Sequence, residues 1–78
     1  MIKAIKKLSN IELVYLFKDV SRTYRMNEFK EYVPSSNTIN FLTLNDIELN
    51  YQSIVEIDNY CRIEVLKRIS DGRISINK

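Results

Sequence analysis

Histidine and tryptophan are absent from this 78-residue chain, and glycine, proline and cysteine occur once each. Without histidine there is no imidazole to act as a general base or to activate a cysteine nucleophile. No Cys/His set with metal-ligand spacing exists, and one glycine cannot make a glycine-rich phosphate loop. The chain therefore reads as non-enzymatic, with no catalytic, cofactor-binding or metal site expected. A lone cysteine, Cys61, excludes an internal disulfide and suits a reducing compartment. It reads as a core residue. No run of about 18 apolar residues occurs, so no membrane span is expected. The basic start MIKAIKKLSN lacks the apolar centre of a signal peptide. The expected location is the cytoplasm. Alanine is scarce as well, while isoleucine, asparagine, lysine and tyrosine are abundant. That is the bias of AT-rich genomes, such as those of low-GC bacteria and their phages.

What is present fits one small domain, residues 1–78. At this size folding buries only about 60% of the unfolded surface, and oligomerisation is a common remedy for the marginal stability that follows. A net charge of +2, with acids and bases interspersed, is too mild to point to nucleic acid by itself.

Residues 9–33 read as helical. Ser9-Asn10-Ile11-Glu12 fits a capping box, with Leu8 and Leu13 placed for a hydrophobic staple. Leu13, Leu16, Phe17, Val20 and Tyr24 then mark one helical stripe. The phase shifts at Met26, Phe29 and Val33, which predicts a kink or two helices. Upstream, Ile2, Ile5 and Leu8 suggest a short helix or a docked arm. Pro34 closes the region, and Ser35-Ser36-Asn37 reads as a connector.

Residues 38–78 carry turn-forming pairs at near-even intervals: Asn45-Asp46, Asp58-Asn59 and Asp71-Gly72. Between them lie segments rich in β-branched and aromatic residues, the pattern of a four-stranded antiparallel meander. A two-residue loop at Asp71-Gly72 is a strong hairpin signal. It places Cys61, Ile63, Val65, Ile69, Ile74 and Ile76 on one face and Arg62, Glu64, Arg68, Arg73 and Ser75 on the other. A helix over 53–70, opened by Ser53-x-x-Glu56 and ended at Gly72, competes with this reading. At about 100° per residue, however, it puts Asp58, Arg62 and Arg68 inside its apolar arc. Period two separates polar from apolar residues better, so the expected fold is α+β: an N-terminal helix or two, then a four-stranded antiparallel meander curled into an open barrel.

The stretch from Ile39 to Lys78 resembles the Sm-like fold of the bacterial Hfq proteins. Asn45-Asp46 stands where that family has its hairpin tip, and Ile57-Asp58-Asn59-Tyr60 is similar to its hydrophobic-Asp-x-aromatic strand end. The family's Tyr-Lys-His signature and its fifth, ring-forming strand have no counterpart here. The order of helix and then strands also resembles small YolD-like proteins. The Sm-like resemblance implies RNA or DNA binding, with Tyr60 as the stacking aromatic.

Two functional readings follow. The first is a small protein-binding or self-assembling module, of the regulatory or anti-defence kind carried by phages and mobile elements. Its expected interface is the terminal edge strand at Ile74, Ser75 and Ile76, whose backbone groups seek a partner. The second is a nucleic-acid-binding protein that uses Tyr60, Arg62, Arg68 and Arg73.

Overall fold

The computed structural model describes residues 1–23 and 30–75. Among the described residues there are four α-helices and no β-strand. These are α1 (Ile2–Lys6), α2 (Asn10–Val20), α3 (Ser36–Leu44) and α4 (Tyr51–Ser70), with a 3₁₀ turn at Ser21–Thr23 after α2. The expected α+β meander is therefore overturned, and with it the Sm-like barrel, which requires strands.

The N-terminal half forms as its local signals dictate. Ser9 Oγ accepts the Glu12 N–H, and Glu12 Oε1 accepts the Ser9 N–H at 2.8 Å, which completes the capping box. Leu13, Leu16 and Val20 are buried along one stripe, with Phe17 beside them. Ile5 of α1 is buried against the same core. Tyr24, Met26 and Phe29 lie outside the described residues, and Val33 is exposed. Ser35 is not a connector residue but the N-cap of α3, its hydroxyl accepting the Thr38 N–H.

The turn pairs of the C-terminal half have a different use. Asn45-Asp46 ends α3: Asp46 takes φ 53°, its N–H donates to Thr43 O, and the Ile47 N–H donates to Leu42 O at 2.9 Å. Asp71-Gly72 ends α4 in the same way. Gly72 takes φ 76°, its N–H donates to Ile69 O, and the Arg73 N–H donates to Arg68 O at 2.8 Å. Both are Schellman caps, each followed by an isoleucine (Ile47, Ile74) packed against the core. A left-handed residue marks a hairpin tip and a helix C-cap alike, so the pairs alone do not distinguish them. Asp58-Asn59 makes no turn at all and lies in mid-α4.

A Cβ added at Gly72 would meet nothing within 4 Å, so a substitution there costs backbone conformation alone. Gly72→Val is expected to lower stability by about 1–2 kcal/mol, and Asp46→Gly to raise it by about 0.5–1 kcal/mol. Urea midpoints of the two variants test both. An unchanged midpoint for Gly72→Val would mean that residue 72 is not left-handed.

Helix α4 begins at Tyr51, with Asn50 as its N-cap; Asn50 Oδ1 accepts the Ser53 N–H at 2.8 Å. Its inner face is Ile54, Ile57, Asp58, Cys61, Glu64 and Arg68, spaced by threes and fours. Ile54, Ile57 and Cys61 join the core built by α1, α2 and α3. Of the three polar residues that argue against a helix in the sequence, Asp58 and Arg68 do lie on its buried side, whereas Arg62 is exposed. Arg68 is 0% exposed, and each of its three guanidinium nitrogens donates a hydrogen bond. Nε donates to Glu64 Oε2 at 2.8 Å, Nη1 to Asn10 Oδ1 at 3.1 Å and Nη2 to Lys6 O at 3.0 Å. One side chain thus joins the end of α1, the start of α2 and the last turns of α4. Asn10 Nδ2 in turn donates to Arg73 O at 2.8 Å, fixing the chain after α4.

Asp19 performs the matching task at the other end of α2. Its buried carboxylate accepts from Thr38 Oγ1 at 2.6 Å, Tyr32 Oη at 2.7 Å and the Ser35 N–H at 3.1 Å, and it pairs with Arg22. That places a negative charge at the N-terminus of α3, where the helix dipole favours it. Burial alone would raise the Asp19 pKa, but the hydrogen bonds from Thr38, Tyr32, Ser35 and Arg22 outweigh it and hold the carboxyl below its usual range. Tyr32 shifts the opposite way: burial, and then the Asp19 charge, push its hydroxyl upward. Helix α2 is therefore pinned at both ends, about 13 Å apart at 1.5 Å per residue, by two polar clusters with the apolar core between them.

A candidate docking groove

With both ends of α2 fixed, its outer face becomes a rigid wall. Asp19 draws the start of α3 to the C-terminal end of α2, and the end of α3 lies over the N-terminal end of α2 and α1. Between α2 and α3 runs an open groove of about 580 Å³. Its floor and walls include Leu8, Ile11, Tyr15, Leu16, Phe41 and Leu44. Leu16 and Phe41 are buried, whereas Leu44 is 84% exposed, Ile11 67% and Tyr15 54%. The rim is polar, with Lys7, Glu12, Asn37, Asn40 and Asn45. Tyr15 also borders a shallow depression at the far end with Lys18, Arg22, Ser35 and Asn37, and another on the opposite flank of α2 with Ile11 and Val14.

Scattered exposed hydrophobics are ordinary, but several that line one concavity with a polar rim mark an interaction surface. Sequence reasoning missed this groove because it assigned residues 39–44 to a strand. The signal within reach was Ile11 and Tyr15. They fall four residues apart on the side of α2 away from the Leu13/Leu16/Val20 stripe, so the helix is apolar on two faces.

The nucleic-acid candidates Tyr60, Arg62, Arg68 and Arg73 do not form one exposed basic face. Tyr60 is half-buried on α4 and packs against the core. Arg62 is exposed; its Nη2 donates to Asp58 Oδ2 at 3.0 Å and its guanidinium lies 5.5 Å from the centroid of the Phe17 ring. Arg68 is in the interior, so it is not part of an exposed basic face. Arg73 is exposed in the segment after α4. There is no sheet edge at Ile74 and Ser75: the Ile74 N–H donates to Arg68 O and its side chain is half-buried. Ser75 is exposed, and both residues border the depression beside Ile11 and Val14. Ile76 lies outside the described residues.

Cys61 is 0% exposed, and burial, with the neighbouring Asp58 charge, pushes its thiol up to about 12. At neutral pH it stays protonated and acts as a small apolar side chain. Asp58 Oδ1 is buried without a hydrogen-bond partner. Among the described residues no group of three or more Cys, Asp or Glu side chains is arranged to hold a metal ion, and no helix is long and apolar enough to cross a membrane. Comparison with protein-family models, curated proteins and solved structures gives no significant match.

Proposed function

We propose that this chain is a small non-enzymatic protein-interaction module whose working surface is the groove between α2 and α3. The observation that carries this reading is the exposure of Leu44, Ile11 and Tyr15 around one concavity whose walls are held rigid from beneath. Exposed apolar side chains that are pre-positioned lose little conformational freedom when a partner covers them, which is where affinity gains most. Two antiparallel helices with an apolar cleft between them suit the helix-in-groove mode of recognition, in which a partner helix inserts side chains at i, i+3 or i+4, and i+7. A regulatory role in a phage or mobile element is compatible with such a module. The nucleic-acid reading loses the shared basic face on which it was built.

The test is site-specific photo-crosslinking in the native cell. A photoreactive phenylalanine analogue at position 44 is expected to capture one dominant partner, while the same group at Lys67, exposed on α4, captures none. Ile11→Glu should abolish capture at position 44 while leaving the helical circular dichroism unchanged, because Ile11 is already exposed. Equal capture from both positions, or none from position 44, would contradict the reading.

A further inference from the structure

The groove between α2 and α3 is complementary to its own reverse. Resting on the reading of that groove as a docking surface, we infer that its occupant is a second copy of this chain, packed face to face about a two-fold axis. The α2 side of the groove presents Lys7, Leu8, Ile11 and Glu12 in chain order. Read backwards, the same row offers a carboxylate to the cation and an isoleucine to the leucine. Laid antiparallel on a second copy, Lys7 meets Glu12 and Leu8 meets Ile11, and each contact is made twice, as a two-fold interface requires. Lys7 and Glu12 are both exposed. Glu12 Oε1 accepts the Ser9 N–H, and a carboxylate has a second oxygen to offer a lysine. The hydrogen bonds from Ser9 hold that carboxyl below its usual range, so it is charged at neutral pH. The α3 side of the groove carries no charge: it is formed by Asn37, Asn40, Phe41, Leu44 and Asn45. Two copies of it meet without repulsion.

The architecture agrees. Helices α2 and α3 are antiparallel neighbours. Doubling them about that axis sets α2 on α2 and α3 on α3, again antiparallel, which makes a four-helix bundle whose adjacent helices all run in opposite directions. Its interior holds Ile11, Tyr15 and Leu44 of both copies, the side chains exposed around the groove in one copy. Leu8, Ile11 and Tyr15 also stand at i, i+3 and i+7, the anchor spacing of a helix that docks in a groove. The other exposed apolar ridge, Ile63 and Leu66 on α4, fits less well. Arg62 and Lys67 flank it and give Lys7 no counter-charge, and a contact between two different faces builds open chains, not closed pairs.

Sedimentation equilibrium of the full chain tests this. The face is small for an interface, so the mass is expected to rise from monomer to dimer between about 1 and 500 µM. Ile11→Glu should stay monomeric over that range with its helical circular dichroism unchanged. Lys7→Glu sets Glu against Glu in its own dimer, and Glu12→Lys sets Lys against Lys, so each alone should associate about tenfold more weakly. Mixed in equal amounts the two variants restore both opposite-charge contacts, and the mixture should associate within about threefold of the parent. Recovery in the mixture supports the two-fold pairing, and no recovery overturns it. Should Glu12→Lys unfold for want of its capping box, crosslinking takes the place of the mixture. A photoreactive phenylalanine analogue at position 44 of the purified chain is expected to join residues 8–15 or 37–45 of a second copy; products elsewhere, or none, overturn the pairing. A dimer that Ile11→Glu leaves intact lies on another face and overturns it too. A chain that is monomeric at about 500 µM, with a different protein captured at position 44 in the cell, overturns the second copy and leaves the groove as a docking surface. A monomer with no capture sinks both.

Discussion

Arg68→Met is expected to destabilise the protein by about 3–5 kcal/mol, the range for breaking a buried ion pair by removing one partner. The methionine fills much of the space but donates nothing. Glu64, which is itself buried, keeps its charge without a partner, and Lys6 O and Asn10 Oδ1 lose their donors. Lys6 O is the last carbonyl of α1 and Asn10 the first residue of α2, so the loss falls on the junction of three helices. A domain of this size has on the order of 5 kcal/mol in total, and the variant should be largely unfolded at 37 °C. The companion exchange separates charge from packing. Arg68→Met combined with Glu64→Leu removes both charges and should recover about half or more of the loss, because apolar replacement of a whole buried pair is often near neutral. If Arg68→Met alone unfolds in urea like the parent, the guanidinium is not in the interior.

Asp19→Ala is expected to cost about 2–4 kcal/mol, because three donors, the Thr38 and Tyr32 hydroxyls and the Ser35 N–H, lose their shared acceptor at once. The effect also has a pH signature. The folded carboxyl titrates below the ordinary carboxylate range near 4, because its hydrogen bonds outweigh the opposing effect of burial. Its contribution is therefore fully present above about pH 4 and is lost as the pH falls through the lower folded value. Asp19→Asn, which keeps the shape without the charge, should be less stable than the parent at pH 7, and the gap between the two should close below about pH 4. A gap that does not change with pH would mean that the carboxylate is not held by these donors. Both exchanges also act on the groove, since Arg68 and Asp19 fix the two ends of its α2 wall.

The N-terminal half was legible because its signals are local. A capping box followed by an apolar stripe specifies a helix within a dozen residues, and Ser9, Glu12, Leu13, Leu16 and Val20 stand where those rules put them. The C-terminal half misled for two physical reasons. Asn45-Asp46 and Asp71-Gly72 supply left-handed conformations, and a Schellman cap needs these as much as a hairpin does. Arg68 and Asp58 sit in the apolar arc of α4, and a periodicity argument counts a polar residue as outward-facing. The partners that make Arg68 tolerable inside, Asn10 and Lys6 O, are about 60 residues away in sequence, beyond the reach of any local rule. Exposed Ile63 and Leu66 weaken the helical period further and favour the two-residue alternation. The groove was illegible for the same reason: it exists only once 36–44 is a helix packed antiparallel to α2. The core placement of Cys61 was readable in the sequence, and its complete burial agrees with it.

The junction of α1, α2 and α4, and the α4 side of the core, depend on α4 being one continuous helix with Arg68 turned inward. Backbone assignment by triple-resonance NMR tests this directly. Carbon-α secondary shifts should be positive without interruption from Tyr51 to Ser70, and the Arg68 Nε–H should appear as a slowly exchanging resonance at neutral pH, as a buried charge-assisted donor requires. Negative shifts from Cys61 to Ser70, with an Arg68 Nε–H lost to rapid exchange, would restore a strand in that segment and contradict the account.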